Sequence, residues 1–411
     1  MTNIINLTDS YKLSHWKQYP KGTEKIHSYM SSRGGEYEEM VFFGLKYYIG
    51  KYLSKKILQE DVLEASKLAI CHGVPFNQEG WEYIVNDLGG KLPIEVKSIK
   101  EGETFKQHQV ILTIENTDDK CAWLVGWIET LIMKLWYPIT IASKSRAVKE
   151  MLKGYWDRTS DNPEGIEFAF HNFGDRGSSS VESAAIGGVA HLTQFKGTDN
   201  FNCLNLVKEY YPEYQGFSIV ASEHSTVTSW GREGEFDFYE NYLETFKDKP
   251  MIACVMDSYD IYKAVDFVAI GKMKDKIESN DYPIFVIRPD SGEPIEVIGK
   301  ILEILKNNRV KWRRNSKGFI VYQKYRIIWG DGVTLEQIDA VLSYFCNDYY
   351  ELSAENFAFG SGGDLMQNIN RDTCKFAIKA SAIKVNGEWR DVYKDPITDP
   401  GKKSLRGRQI I

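Results

Sequence analysis

Short apolar runs alternate with helical stretches through the middle of the chain. A polar or glycine-rich turn follows each run, and residues 293–307 and 335–345 have the apolar spacing of helices. Strands that alternate with helices predict a parallel sheet, and seven such runs favour a barrel, with a doubly wound sheet as the alternative. The runs lie at 168–170, 192–195, 217–220, 251–256, 284–287, 327–329 and 357–359.

The two ends of the chain follow a different pattern. Helical spacing appears at 42–57 and 118–136, and the second helix is expected to stop before Pro138. Residues 94–96 and 110–114 are predicted strands. Near the C-terminus, 382–385 and 388–392 flank Asn386-Gly387, a strong signal for a type I′ hairpin. Lone hairpins are marginally stable, so this one is expected to join the N-terminal strands in a larger antiparallel sheet.

This change of pattern predicts two domains: a barrel at 161–379, and a mixed, β-rich domain from 1–160 with 380–411. The 411 residues are enough for both. A net charge of −6 argues against a nucleic-acid partner, because neutralising phosphates requires a positive surface. The six cysteines include no CxxC pair and predict reduced thiols in the cytoplasm.

Two further patterns argue against export and membrane insertion. The first ten residues, MTNIINLTDS, lack the basic-then-apolar pattern of a signal peptide. The most apolar helical segment, 122–136, carries Glu129 and Lys134 and is too short to span a bilayer. We therefore expect no membrane partner.

Charged side chains come directly after most of the predicted strands. One such residue is ordinary, but in a parallel barrel the strand ends converge on one face, where active sites form. The Gly-Ser-Gly-Gly stretch at 360–363 would present backbone N–H groups to an anion. An acidic rim, a glycine loop and nearby basic groups fit a sugar phosphate or diphosphate bound with Mg²⁺. The charged residues of the rim are Asp199, His224, Asp257, Arg288, Asp290 and Asp331.

Nine segments resemble, in order and context, those of the nicotinamide phosphoribosyltransferase family. They are TDSYKLSHWKQYP, HNFGDRG, FKGTD, SEHST, DSYDIY, IRPDSG, GDGV, FGSGG and KDPITDP, and the resemblance extends over residues 7–408. It implies an irregular α/β barrel of the type II phosphoribosyltransferase kind with an additional β-rich domain built from both chain ends. It also implies a homodimer whose active sites lie at the subunit interface.

The reaction implied by the resemblance is transfer of the 5-phosphoribosyl group from phosphoribosyl pyrophosphate to nicotinamide, in NAD salvage. The pyridine ring would lie between Phe173 of one subunit and Tyr11 of the other. Asp199 and Arg288 would contact the carboxamide. The residues matched to the ribose and its phosphate are Arg176, Gly330, Asp331, Gly362, Gly363 and Arg371. Those matched to pyrophosphate are Lys379, Lys394 and, from the second subunit, Arg33.

The same resemblance assigns the catalytic set to His224, Asp257, Asp290 and Asp331. Asp257 and Asp290 lie where Mg²⁺ and the diphosphate would be organised, in part through water. His224 corresponds to a histidine that ATP phosphorylates, with Glu223 beside it to orient the imidazole. Mg²⁺ and, facultatively, ATP are therefore the expected cofactors.

Three other functions fit the sequence less well. A nicotinate phosphoribosyltransferase would share the scaffold, but an ionised Asp199 accepts a hydrogen bond from a carboxamide and repels a carboxylate. A metal-dependent barrel hydrolase or aldolase is disfavoured, because there is no HxH motif and no dominant strand-end lysine. A non-catalytic dimeric binding protein would not need the whole charged rim.

Overall fold

The computed structural model describes residues 2–411 and separates the chain into two units. The first comprises Met1–Ser143 and Ile369–Ile411, and the second comprises Lys144–Asn368. The boundaries expected from the sequence, after 160 and after 379, differ from these. No turn marks the first division, because it falls inside the continuous helix Trp136–Thr159, whereas residue 379 lies within the strand Phe376–Val385.

The strands and helices are numbered in chain order over the described residues. The strands are β1 Thr23–Ser32, β2 Glu39–Val41, β3 Ile94–Ser98, β4 Thr104–Lys106, β5 Val110–Asn116, β6 Phe170–Asn172, β7 Val220–Ala221, β8 Met251–Val255, β9 Ile284–Arg288, β10 Trp312–Arg314, β11 Ile320–Tyr322, β12 Tyr325–Trp329, β13 Phe357–Ser361, β14 Phe376–Val385 and β15 Glu388–Asp391. The helices are α1 Leu45–Tyr48, α2 Gln59–His72, α3 Gln78–Asn86, α4 Leu124–Met133, α5 Trp136–Thr159, α6 Val181–Leu192, α7 Cys203–Tyr210, α8 His224–Thr228, α9 Glu235–Thr245, α10 Ile261–Ala269, α11 Gly271–Ile277, α12 Pro294–Asn307, α13 Leu335–Phe345 and α14 Gly363–Met366.

The first unit is built on an antiparallel sheet of five strands in the order β15-β14-β1-β5-β3. Asn386 and Gly387 connect β14 to β15 with φ values of 49° and 81°, the left-handed values that a type I′ turn requires. The predicted hairpin is therefore confirmed. Its pairing with the N-terminal strand β1 also confirms that both chain ends form one sheet.

The helix expected at 118–136 does end before Pro138, but a second helix that was not expected begins before the proline and contains it. Helix α4 ends at Met133, and α5 begins at Trp136 with the proline in its first turn. Proline is tolerated there because the first N–H groups of a helix have no intrahelical partner. In the predicted helix 42–57, the structure has the short α1 followed by a π-helical turn, Ile49–Leu53.

The second unit contains a parallel sheet of six strands in the order β6-β13-β12-β9-β8-β7. Its two edges are linked through residues 196–199, which form single parallel bridges from Thr198 to Asn172 and from Gly197 to Phe217. The sheet therefore curls into an irregular α/β barrel in which 196–199 take the place of a seventh strand. The expected strand at 192–195 is wrong: it begins at the last residue of α6, and fully buried Phe195 packs into the core.

One segment, Leu124–Thr159, is long and apolar enough to cross a membrane, by length and composition alone. Its most apolar window is 61% buried inside the structure. Core helices of globular proteins pass the same test, so this finding is weak evidence for a span.

A buried histidine joins α6 to the closing segment of the barrel. The Nδ1 atom of His191 lies 3.0 Å from the Ser145 hydroxyl, and its Nε2 lies 3.2 Å from the Gly197 carbonyl oxygen. Burial lowers the pKa of His191 to about 3. The imidazole is therefore neutral in the folded protein at neutral pH.

We expect acid to unfold the protein partly through His191. Its folded pKa lies below the unfolded value of about 6.5, so the unfolded state binds more protons between these pH values. Stability should fall by about 1.4 kcal/mol per pH unit below roughly pH 6.5 from this group alone. In urea titrations, His191→Gln should be less stable at pH 7.5 and show a shallower loss between pH 6.5 and 5. A slope equal to that of the unaltered protein would contradict this account.

Candidate active site

A cavity of about 460 Å³ lies in the barrel of the second unit. Buried Ala253, Val286 and Ile328 project from the strands and pack against Phe173. The polar side chains Asp199, Ser218 and Arg288 line the same cavity, and they follow or end strand segments, as the sequence predicts for Asp199 and Arg288. An apolar cavity with a few convergent polar groups is the usual form of a small-molecule site.

The Phe173 ring packs against the backbone of two glycines, where a side chain would leave no room for it. A Cβ atom on Gly360 would stand 1.9 Å from Cε2 of Phe173, and one on Gly330 would stand 3.4 Å from the same atom and 3.1 Å from Oδ1 of Asp290. The Phe173 N–H donates to the Ser361 carbonyl at 2.9 Å. Phe173, Gly330 and Asp290, which the sequence assigned to ring and ribose, thus lie together. Gly360 was predicted only as part of a glycine loop that binds an anion, and its contact with Phe173 was not predicted.

The Asp199 carboxylate is positioned by its two neighbours in the barrel wall. Its backbone N–H donates to the Asn172 carbonyl at 2.9 Å, and its Oδ1 accepts a hydrogen bond from the Ser218 hydroxyl at 2.5 Å. Asn172 also accepts the Gly174 N–H at 2.8 Å through its side chain, which shapes the turn after Phe173. No pattern in the sequence identifies Ser218, since a lone serine within a predicted strand is ordinary.

His224 is bound to the rim by a carboxylate. Its Nε2 lies 2.9 Å from Oδ1 of Asp257, whose side chain is only 6% exposed. The other oxygen of Asp257 accepts the Asp290 N–H at 3.1 Å and the Ser291 hydroxyl at 2.5 Å. Asp257 therefore orients the imidazole, whereas Glu223 accepts a hydrogen bond from Ser225. Ser291 is a second residue that the sequence did not identify.

Arg288 ends strand β9 and faces Asp290. Its Nη2 lies 3.8 Å from the nearer Asp290 oxygen, and its Nε is buried without a hydrogen-bond partner among the described residues. A guanidinium with unused donors in a cavity wall is suited to bind an acceptor group of a ligand.

The glycine loop and the loop after β12 are tied together. The Ser361 hydroxyl donates to the Val333 carbonyl at 3.0 Å, which joins the loop that begins at Gly330-Asp331 to the Gly362-Gly363 turn. A Cβ on Gly174 would meet the Gly362 carbonyl oxygen at 2.9 Å, so these two turns are closely packed. Arg176 lies in the turn that contains Gly174, two residues further along the chain. The helix that follows this loop, α14, is short, Gly363–Met366.

The first unit holds a separate basic cavity of about 430 Å³. Burial lowers the pKa of Lys379, Glu129 opposes this shift, and the nearby cations Arg33 and Lys394 add to it. The Nε atom of Arg33 is buried without a partner among residues 2–411. Such a group of poorly neutralised cations favours an anionic ligand. Five residues that the sequence assigned to substrate line this one cavity: Tyr11, Arg33, Arg371, Lys379 and Lys394.

An ion pair between buried Lys12 and partly exposed Glu129 adjoins Tyr11 in this cavity, and the sequence does not predict it. Lys12 is 4% exposed at its side chain, lies 3.2 Å from Oε2 of Glu129 and donates to the Gly126 carbonyl at 3.0 Å. It pins the N-terminal 3-10 helix Ser10–Lys17 to α4. Tyr11 itself is 60% exposed in the single chain.

The described residues provide no preformed protein cage for a metal. No three histidine, cysteine or acidic side chains among them gather in a way that could hold an ion. Both oxygens of Asp257 are already hydrogen-bonded, while Asp290 has, within residues 2–411, only the distant Arg288 as a charged partner. This donor set fits Mg²⁺ that arrives with substrate phosphates, since Mg²⁺ usually takes one or two carboxylates and keeps several waters.

Comparisons with known proteins identify the family of this chain. Residues 168–410 match the Nicotinate phosphoribosyltransferase (NAPRTase) family, and residues 3–96 match the Nicotinamide phosphoribosyltransferase, N-terminal domain. The nicotinamide phosphoribosyltransferase of Xanthomonas campestris pv. campestris is 44% identical over 100% of this chain and 88% of its own length. The enzyme of the same name from Mycoplasma pneumoniae is 31% identical over 97% and 94%.

Solved structures support the fold. Human nicotinic acid phosphoribosyltransferase superposes with a TM-score of 0.59 at 13% identity, covering 92% of this chain and 74% of the other. Nicotinate-nucleotide pyrophosphorylase from Pyrococcus furiosus gives a TM-score of 0.57 at 15% identity, covering 97% and 85%. At these identities the likeness concerns the fold alone.

We expect Gly360→Ala to disturb the ring site. The added Cβ would overlap the Phe173 ring and displace it, which removes a stacking contact worth about 1 kcal/mol, roughly a fivefold loss of affinity for nicotinamide. Calorimetric titration measures this loss. Gly299→Ala is the matched control, because its Cβ would meet only Phe345 at 3.9 Å. Equal affinity in Gly360→Ala and the unaltered protein would contradict the role of Gly360 in positioning the Phe173 ring.

Proposed function

The chain belongs to the nicotinate phosphoribosyltransferase family, and from this premise we propose that it is a nicotinamide phosphoribosyltransferase of NAD salvage. It would join nicotinamide to the phosphoribosyl group of phosphoribosyl pyrophosphate and release nicotinamide mononucleotide and pyrophosphate. The observation that carries this proposal is the position of Asp199, an acceptor-only carboxylate in the same cavity as Phe173. Such a group binds a carboxamide N–H and repels the carboxylate of nicotinate.

The reaction needs no strong base. The pyridine nitrogen has a free lone pair, which forms a bond to C1 of the ribose as the bond from C1 to the diphosphate oxygen breaks. The bonding electrons leave with pyrophosphate, and the positive charge ends on the pyridinium ring. Positioning supplies much of the catalysis, and the Asp290 and Asp331 carboxylates would stabilise the cationic ribosyl centre in the transition state.

We assign Mg²⁺ to the Asp290 side of the rim. Asp290 would contact the ion directly or through water. Asp257 would position Asp290, because its carboxylate accepts a hydrogen bond from the Asp290 N–H. When bound with the diphosphate, Mg²⁺ supplies charge neutralisation on the leaving group. Gly362, Gly363 and Arg176 would receive the 5′-phosphate on the other side.

ATP coupling through His224 is the part of the proposal that rests on one contact. If Nε2 carries the proton donated to Asp257, the lone pair of Nδ1 is free to attack the γ-phosphorus of ATP, and ADP leaves with the electrons of the broken P–O bond. The side chain is 45% exposed, so a nucleotide can reach it. ATP-stimulated turnover that disappears in His224→Asn tests this step.

The basic cavity of the first unit is proposed to complete the active site of a second subunit. Tyr11 and Arg33 are the residues expected from the second subunit, and because Lys379, Lys394 and Arg371 line the same cavity, we propose that they come from it as well. Tyr11 would cover the face of the pyridine ring opposite Phe173, while Arg33, Lys379 and Lys394 bind pyrophosphate and Arg371 the ribose phosphate. The exposed Tyr11 ring and the excess of basic over acidic side chains around the cavity support this, because they leave an aromatic face and positive charge available to a ligand. The enzyme would then act as a homodimer with shared sites.

We also propose a cytoplasmic location. All six cysteines are unpaired, and only Cys71 is exposed. Unpaired thiols fit a reducing compartment. Cell fractionation tests this location, and recovery of the protein in an extracellular fraction would oppose it.

Turnover assays test the proposed activity directly. Purified protein with Mg²⁺ and phosphoribosyl pyrophosphate receives nicotinamide or nicotinate, and the mononucleotide product is quantified by chromatography. Nicotinamide mononucleotide is the expected product, with nicotinate used far less well. Turnover of nicotinate alone would make the protein a nicotinate phosphoribosyltransferase, and turnover of neither would favour a non-catalytic dimer.

Mixing two inactive variants tests the shared site. Tyr11→Ala and Asp290→Ala damage different parts, so a mixed dimer should hold one intact site and recover up to about a quarter of normal activity, because half of the dimers are mixed and each has one good site of two. Each variant alone should remain nearly inactive. Folded variants that form mixed dimers without regaining activity would show that each site is built from one chain.

A further inference from the structure

The hydroxyl of Ser218 is engaged by the carboxylate expected to select the substrate. Ser218 Oγ lies 2.5 Å from Oδ1 of Asp199, and both side chains line the barrel cavity. We propose that Ser218 is a second specificity-determining residue, held as a hydrogen-bond acceptor toward the ring substituent. The proposal deepens the nicotinamide transfer proposed above and rests on it.

The chemistry follows from the single proton of a hydroxyl group. A serine has one donor and two acceptor lone pairs, and a carboxylate attracts that donor strongly in a short, charge-assisted bond. The alternative acceptor is the Ile219 carbonyl oxygen, at the longer distance of 3.3 Å. With its proton directed to Asp199, Ser218 can offer only lone pairs to a ligand.

The resulting pair of acceptors matches a carboxamide. Its NH₂ group has two N–H donors, one for the free Oδ2 of Asp199 and one for Ser218 Oγ. The carboxylate of nicotinate has no donor, so it would meet lone pairs at both positions and a negative charge at one. A site whose polar groups are left unpaired by the wrong ligand discriminates strongly. Ser218 thereby adds to the selection that Asp199 exerts.

Backbone hydrogen bonds hold the two residues side by side. The Thr198 N–H donates to the Phe217 carbonyl at 2.9 Å, and the Phe217 N–H donates to the Lys196 carbonyl at 2.8 Å. Asp199 and Ser218 each come directly after one of these paired residues. Both side chains are exposed in the single chain, so the hydrogen bond between them adds little to the core. Removing the hydroxyl should therefore change ligand selection more than folding.

The test compares Ser218→Ala, Ser218→Thr and a matched control. Ser316→Ala removes the same kind of contact, since the Ser316 hydroxyl lies 2.7 Å from Oδ1 of Asp161 and neither residue lines the cavity. We expect Ser218→Ala to raise KM for nicotinamide about tenfold and to lower the nicotinamide-to-nicotinate ratio of kcat/KM by a similar factor, the effect of one lost hydrogen bond. Ser218→Thr should retain the ratio, and Ser316→Ala should leave it unchanged.

Each result decides the proposal. An unchanged ratio in Ser218→Ala, or an equal change in Ser316→Ala, would overturn the role of Ser218 while nicotinamide transfer by the unaltered protein still stands. A ratio that falls in Ser218→Thr as far as in Ser218→Ala would show that the hydroxyl is irrelevant and overturn it as well. An unaltered protein that does not use nicotinamide would instead refute the proposed function, and the role of Ser218 with it.

Discussion

Closure of the barrel through residues 196–199 is the constraint on which the candidate site depends. This segment has no regular strand, and it joins the sheet edges through single bridges, Asn172 to Thr198 and Gly197 to Phe217. Those bridges set Asp199 beside Ser218. They also place Asp199 next to Asn172, the residue that directly precedes Phe173. The same backbone links that complete the fold therefore assemble the ring-binding pocket. Buried His191 contacts this segment through the Gly197 carbonyl oxygen, 3.2 Å from its Nε2.

Two kinds of electrostatic environment are kept in different parts of the chain. The barrel mouth presents carboxylates, with His224 and Arg288 bound to or facing them, which suits a reaction that develops positive charge on a sugar carbon. The cavity of the first unit presents cations without enough counter-charge, which suits phosphate groups. A phosphoribosyl pyrophosphate molecule needs both environments, and the proposed dimer would supply them from two subunits.

Much of the barrel and its rim could be predicted because local sequence determines them. The charged or glycine residues that follow the strands mark where each strand ends. Both ends of α13, Leu335 and Phe345, were predicted correctly. Contacts that arise only from tertiary packing could not be predicted. The proposed role of Ser218 depends on its hydrogen bond to Asp199, which lies nineteen positions away in the sequence. Gly360 matters because a ring lies on it, and the closing segment was misplaced because apolar residues 192–195 serve helix packing instead. The assignment of individual ligand contacts came from the family motifs, and these contacts stay predictions.

The most direct test of the account is a crystal structure of the protein with nicotinamide, at about 1 Å resolution so that amide nitrogen and oxygen can be told apart. The account predicts the pyridine ring stacked on Phe173, with the carboxamide nitrogen about 2.7–3.2 Å from both Asp199 Oδ2 and Ser218 Oγ. A ring bound outside the barrel cavity, or a carboxamide whose oxygen faces Asp199, would contradict it.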